Sequence, residues 1–273
     1  RTYASIGGVT SRIALKKNIP TWVVSPNVMY KLYNYKDSFK GDYQYQIEDF
    51  YENFPNDWLD QVDFYLEKRF QGKINHHDVQ TAFGTKEILE EKNPLRKFSA
   101  KNDLPIVVIF AHAFSDANKF NGNMLYNSYY DWLLETLKLV KMNKNCSWAL
   151  KPHPSAGFYN EDIQIYEQLM KDLGVYDDVY LIQNRINTKS ILDITSAVVT
   201  CRGTVSLEAT ALGIPCITTG RPTYGEFGIN HRAHNNDDYQ NFIAKADRLE
   251  KPSLNQIELA KRIIFKNLIL DIS

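Results

Sequence analysis

The sequence predicts an α/β fold built around a parallel, doubly wound sheet. Three observations carry that prediction: short apolar runs rich in β-branched residues, amphipathic stretches that alternate with them, and glycine or small polar residues at the junctions. The 273-residue chain suffices for one large or two medium domains. Hydrophobic residues at 44% and charged residues at 23% place it with ordinary globular proteins, not with disordered or fibrous ones.

Residues 103–112 form an apolar run that ends in small and polar residues, as a buried parallel strand does. Residues 126–142 then place Tyr129, Trp132, Leu133, Thr136, Leu137 and Val140 on one helical face, and Ser147–Lys151 supplies the next strand. This is a βαβ unit. A helix over 162–173 stops at Gly174, a strand follows at 179–182, and a short helix at 190–194 precedes the strand Ala197–Thr200. A helix over 205–212 closes at Gly213 before a last strand at 215–218. In such a sheet, ligands bind beyond the C-terminal ends of the strands.

The first hundred residues are less regular. Residues 10–17 read as a helix after a Gly7-Gly8 turn, 21–25 as a strand and 55–70 as an aromatic-rich helix, with a polar link near 90–101. We expect a partial N-terminal Rossmann-like domain over 1–100 and a second Rossmann-like domain over 101–273. Too few strands precede residue 100 to complete a sheet, and the chain opens at Arg1, so upstream sequence is expected.

Lys+Arg and Asp+Glu number 32 each, which removes the basic field that nonspecific nucleic-acid binding requires. Nucleic acid is not an expected partner. Three cysteines without CxxC spacing argue against a disulfide framework or structural zinc and fit the cytoplasm. No apolar run reaches the roughly 18–20 residues of a membrane span, so any membrane contact is expected to be peripheral. His76, His77 and Asp78 look like metal ligands, yet adjacent histidines diverge and no spaced third ligand follows; no metal is expected. GxGxxG, P-loop and GxSxG motifs are absent, which removes the usual supports for hydride transfer, ATP hydrolysis and α/β-hydrolase chemistry.

Thr200 through Ser206 run from a strand through a small-residue turn into a helix. Gly203 lets backbone approach a phosphate, and the N–H groups of Thr204, Val205 and Ser206 would face it. A plain helix start, with Thr204 or Ser206 as cap and Glu208 in the first turn, fits the same residues. Lys151, Pro152, His153 and Pro154 follow a strand, and the two prolines would project His153 at the ligand-binding edge. His153 as a structural loop residue and Lys151 as a solvated lysine are the alternatives. His112 and Asp116 end the first strand at the same edge. Asp116 suits a catalytic carboxylate or an Asx-type loop cap, and His112 would orient it, touch a donor or simply bond within the loop. Arg202 suits a phosphate or carboxylate, or an ordinary ion pair. Tyr224 and Phe227 suit the wall of a base or sugar site, or loop packing.

The ordered set of His112 and Asp116, His153-Pro154, and the run 191–220 with its Thr204-Val-Ser-Leu-Glu-Ala209 core resembles the capsular-polysaccharide biosynthesis glycosyltransferases. Within them it is similar to bacterial Kdo (3-deoxy-D-manno-octulosonic acid) transferases that use CMP-Kdo. The resemblance covers about residues 103–245. It implies a GT-B-like fold of two Rossmann-like domains, the first incomplete here, with the nucleotide in the C-terminal one. By this resemblance His153, Pro154, Gly203, Thr204 and Ser206 serve the CMP phosphate, and Arg202 or Lys151 meets the Kdo carboxylate. Glu208 and Tyr224 complete the donor site, while Asp116, with His112, lies near the anomeric carbon as nucleophile or base. The implied partners are the nucleotide-sugar donor, a glycan or lipid-linked glycan acceptor and polysaccharide-assembly proteins, with no further cofactor. Two rival readings remain at this stage: a teichoic acid-type glycerophosphate or ribitolphosphate transferase with a CDP-activated donor, and a noncatalytic nucleotide-sugar-binding subunit.

Overall fold

The structure is a computed structural model that describes residues 5–24, 29–33, 47–51, 54–75, 77–84, 86–91, 94–100, 104–115, 124–222 and 224–270. Helix α1 (Ser5–Lys16) leads into an antiparallel pair, β1 (Thr21–Val24) and β2 (Met29–Leu32). Gly7 and Gly8 lie inside α1 and not in a turn before it. Helices α2 (Trp58–Phe70), α3 (His77–Phe83) and α4 (Pro94–Ala100) follow, of which only α2 was expected.

The parallel sheet comprises β3 (Ile106–Phe110), β4 (Ser147–Lys151), β5 (Val179–Leu181), β6 (Ala197–Thr200), β7 (Cys216–Thr218) and β8 (His231–Arg232). Their spatial order is β5-β4-β3-β6-β7-β8. The chain moves outward from β3 to β5, returns to β6 on the other side of β3 and moves outward again. The strand order therefore reverses between β3 and β6, which opens a crevice above their C-terminal ends. Helices α5 (Tyr129–Met142), α6 (Ile163–Asp172), α7 (Thr188–Leu192) and α8 (Val205–Ala211) make the crossovers. Two further helices, α9 (Asn236–Ala244) and α10 (Leu254–Ile264), follow β8. Helix α10 starts on a reciprocal cap in which Ser253 and Gln256 satisfy each other's backbone N–H groups.

All five residues of β3 are buried because both faces of the sheet are covered. Ile106, Val108 and Phe110 enter one core, and Val107 and Ile109 enter the other. The second core is filled by α5, whose buried residues are the six expected from periodicity. Ser128 caps this helix by accepting the Asp131 N–H at 3.0 Å. The Thr136 and Tyr239 hydroxyls, 2.6 Å apart, tie α5 to α9. The first core joins Val62, Leu66 and Phe70 of α2 to Leu207 of α8 and Ile263 of α10. Residues before and after position 100 thus share one apolar cluster. Arg262 of α10 lies over the Trp58 ring, 4.8 Å from its centroid, on the same side.

Cys146, Cys201 and Cys216 are buried, unpaired thiols. Burial pushes the thiols of Cys146 and Cys201 up to about 12 and raises that of Cys216 as well. No helix among the described residues is long and apolar enough to cross a membrane.

Leu133 is fully buried between α5 and the sheet. Leu133→Ala should lower the unfolding free energy by about 2–5 kcal/mol. Urea titration checks this: the midpoint should fall with the slope unchanged, and an unmoved midpoint would contradict the packing described.

Candidate functional site

The register of the three central strands builds the site. Phe110 lies opposite Lys151 on β4 and opposite Thr200 on β6. Two residues beyond each of these come His112, His153 and Arg202, which therefore reach the same level at the mouth of the crevice. A cavity of about 110 Å³ opens there. The strand ends contribute His112, Lys151, His153 and Pro154 to its lining, the turn into α8 contributes Gly203 and Thr204, α8 itself Glu208, α2 Arg69, and α3 Ala82 and Phe83.

The two histidines have different protonation chemistry. The Arg202 N–H donates to His112 Nε2 at 3.2 Å, which puts the ring proton on Nδ1. Burial pulls the pKa of His112 down to about 3, with the positive charges of His153 and Arg202 as lesser causes. His112 is therefore neutral at pH 7, and it stitches the ends of β3 and β6 together. Its ring stacks on Tyr129 with centroids 4.2 Å apart and lies parallel to His153 at 6.3 Å. His153 Nδ1 accepts the Ser155 N–H at 3.2 Å, so in the neutral ring Nε2 carries the proton and is a donor.

Lys151 is buried, not solvated. Its ammonium donates to the carbonyls of Gln183 at 3.3 Å and Asn184 at 3.2 Å and to Asn184 Oδ1 at 3.3 Å. Burial lowers its pKa to about 7, helped by the nearby charge of Lys86, which bonds the same Asn184 carbonyl at 3.0 Å. The Asn184 amide donates to the carbonyls of His153 at 3.3 Å and Pro154 at 3.4 Å, so this side chain holds the His-Pro turn.

At Gly203 a Cβ would stand 3.0 Å from Thr200 Oγ1 and 3.7 Å from His112 Cε1, a crowded position that keeps backbone open to the cavity. Thr204 is exposed at the mouth and does not cap α8. Ser206 gives its N–H to the Gly203 carbonyl at 3.0 Å, and its hydroxyl meets Tyr224 Oη at 3.3 Å. Both side chains are buried and neither lines the cavity, unlike the arrangement expected from the sequence. Phe227 packs edge-on against Phe50, 5.5 Å between centroids. Arg202 is not among the cavity walls; its backbone serves His112. Glu208 faces the cavity in an ion pair with Arg69, 2.8 Å from its Nε.

Sequence reading missed Arg69, Asn184 and Glu161. The buried Glu161 carboxylate accepts the N–H groups of Phe114 and Ser115, each at 2.8 Å, and so clamps the loop after β3. Its local signal was faint: an acidic residue just ahead of α6. Asp116, which directly follows Ser115, lies outside the described residues, as do His76 and the side chains of His77 and Asp78.

Two outcomes follow from this geometry. Glu161→Gln leaves one of the two N–H groups without its charged acceptor, so hydrogen exchange at Phe114 and Ser115 should quicken by about 10- to 100-fold; unchanged protection would remove the clamp. The pKa of His112 is depressed from 6.5 to about 3, so the unfolded chain takes up this proton first. The stability it contributes is complete above pH 6.5 and is lost as pH falls towards 3, by at most about 1.4 kcal/mol per pH unit. Chemical denaturation at stepped pH should show that slope in the wild type, and His112→Gln should flatten it.

The sequence matches the model of the capsule polysaccharide biosynthesis protein family over residues 80–264. No curated relative matches. Among solved structures, the chain is similar to the beta Kdo 2,4 transferase KpsC of Thermosulfurimonas dismutans, with a TM-score of 0.54 at 13% identity over 95% of this chain and 77% of that one. The beta Kdo 2,7 transferase of the same KpsC matches with a TM-score of 0.44 at 18% identity over 82% of this chain and 58% of that one. The first likeness is one of fold: the parallel six-stranded sheet belongs to a GT-B-like α/β architecture. Because the family match spans well over half of its length, the chain belongs to the capsule polysaccharide biosynthesis protein family.

Proposed function

We propose that this chain binds a nucleotide-sugar donor in the switch-point cavity and transfers the sugar, Kdo from CMP-Kdo, to a hydroxyl of a glycan acceptor during surface-polysaccharide synthesis. The observation that carries this reading is the convergence of the His153 donor nitrogen and the open Gly203 backbone on one cavity at the strand-order reversal. When the bond from the anomeric carbon to the phosphate oxygen breaks, its electron pair stays on CMP. Donors already fixed around that phosphate gain strength as its charge grows. The acceptor hydroxyl gives its proton to Asp116 acting as base as its oxygen bonds the anomeric carbon; in a double displacement Asp116 first takes the sugar as a covalent ester, and the acceptor oxygen then breaks that ester bond, its proton passing to the freed carboxylate. Glu161 supports either role by fixing the two residues before Asp116.

The Kdo donor is carried over from the resemblance and from the activity of the Thermosulfurimonas enzyme. Lys151 suits it chemically. Its partners are carbonyl oxygens and, among the described residues, no carboxylate, so the carboxylate of an acidic sugar would supply the countercharge.

Calorimetric titration with CMP, CDP, UDP and GDP, each with and without magnesium, tests the proposal. CMP should bind tightest and independently of metal. His153→Ala should weaken it about 10- to 100-fold, and Asp116→Asn should stop transfer from CMP-Kdo while leaving CMP binding intact. A preference for CDP would point to glycerophosphate or ribitolphosphate transfer, and turnover by the Asp116 variant would remove its role. A chain that binds no nucleotide would sink the reading.

A further inference from the structure

Arg69 stands at the C-terminal end of α2, outside the sheet, and lines the cavity. Its Nε donates to Glu208 Oε1 at 2.8 Å, and both side chains are nearly buried, at 12% and 4% exposure. The guanidinium carbon lies over the Phe83 ring, 5.4 Å from its centroid, and Tyr65 is a further electrostatic neighbour. A guanidinium carries five N–H groups, and Glu208 engages it at Nε.

The charges around the cavity give this arrangement a direction. His112 is neutral, and the Lys151 ammonium is tied to three carbonyl-type oxygens. Arg69 stays charged at every working pH. Glu208 by itself would repel an anion entering this cavity, and Arg69 cancels that repulsion in a cavity that Gly203 and Thr204 also line.

We propose that Arg69, oriented by Glu208, contacts the phosphate of the donor, so that the donor site is built jointly by the sheet edge and by helices α2 and α3. This inference rests on the reading of the cavity as a nucleotide-sugar site. Removal of Arg69 alone then has two effects: it deletes an attraction and it unmasks a carboxylate. Neutralising Glu208 in the same molecule relieves only the second.

The test compares cytidine, CMP and inorganic pyrophosphate as calorimetric probes of the full chain. The proteins are the wild type, Arg69→Lys, Glu208→Gln, and Arg69→Met both alone and combined with Glu208→Gln. The double variant leaves no buried unpaired charge, so it is the one expected to fold even if Arg69→Met does not; circular dichroism melts check this. Relative to Glu208→Gln, the double variant should bind CMP about tenfold more weakly or worse while cytidine stays within about twofold. Arg69→Lys, which keeps the charge but loses the fork, should also lose CMP affinity selectively. CMP affinity retained in the double variant, or cytidine weakened as much as CMP, overturns the proposal and leaves the pair as a structural tie. Pyrophosphate binding that depends on Arg69, in a wild type that binds no nucleotide, would sustain the Arg69 contact while the nucleotide reading fails. A wild type that binds none of the three overturns both.

Discussion

The alignment of β3 with β4 and β6 is the constraint on which the rest of the molecule depends, and apolar burial alone does not set it. Both faces of β3 are covered by apolar residues, so a slip of one position would exchange one set of buried aliphatics for another. The ends of the strands supply the missing definition. Thr200 donates its hydroxyl to the Phe110 carbonyl at 3.0 Å, Ala111 gives its N–H to the Lys151 carbonyl at 3.0 Å, and Arg202 gives its own to His112. These polar contacts pay a penalty if the ladder shifts, since each would leave a buried group without its partner. The groups that face the cavity and the groups that lock the sheet are therefore partly the same, and a neutral His112 performs the locking without adding a further charge to the crevice.

The same economy holds on the far wall. Helices α2 and α3 cover one face of the sheet through Val62, Leu66, Phe70 and Phe83, and they also bring Arg69 to the cavity. Covering the core and closing the site are one packing event. Residues 80–264, over which the family match extends, include α8 and its Glu208 but not Arg69, so the ion pair reaches from inside the matched span to outside it.

How far the sequence could be read depended on the range of the interaction concerned. The central strands and α5 were legible because their signals are local: β-branched runs and a 3.6-residue period, which named all six buried positions of α5. That His112, His153, Gly203 and Thr204 line one cavity was legible because strand ends in a parallel sheet share one edge. Ser206 was misjudged as cavity-facing because a hydroxyl near a helix start carries no mark of which side the helix buries; here that side holds Tyr224. Gly7 and Gly8 signalled a turn, yet the helix runs through them. Arg69 had no local signal, since its partner is 139 residues away. Helices α9 and α10 carry ordinary local signals, a reciprocal cap among them.

The buried thiols turn these features into a built-in clock. Alkylating reagents react with the thiolate, and in the native chain Cys146 and Cys201 are buried and hold their protons up to about 12. Modification then waits for the chain to open, and the three positions time different openings: Cys146 before β4, Cys201 at the crevice end of β6 and Cys216 in β7. If the crevice breathes independently of the sheet, Cys201 will be labelled ahead of the other two; if the molecule opens only as a whole, all three will be labelled together. A single mass-spectrometric time course would thus distinguish a mobile site on a rigid scaffold from one cooperative unit.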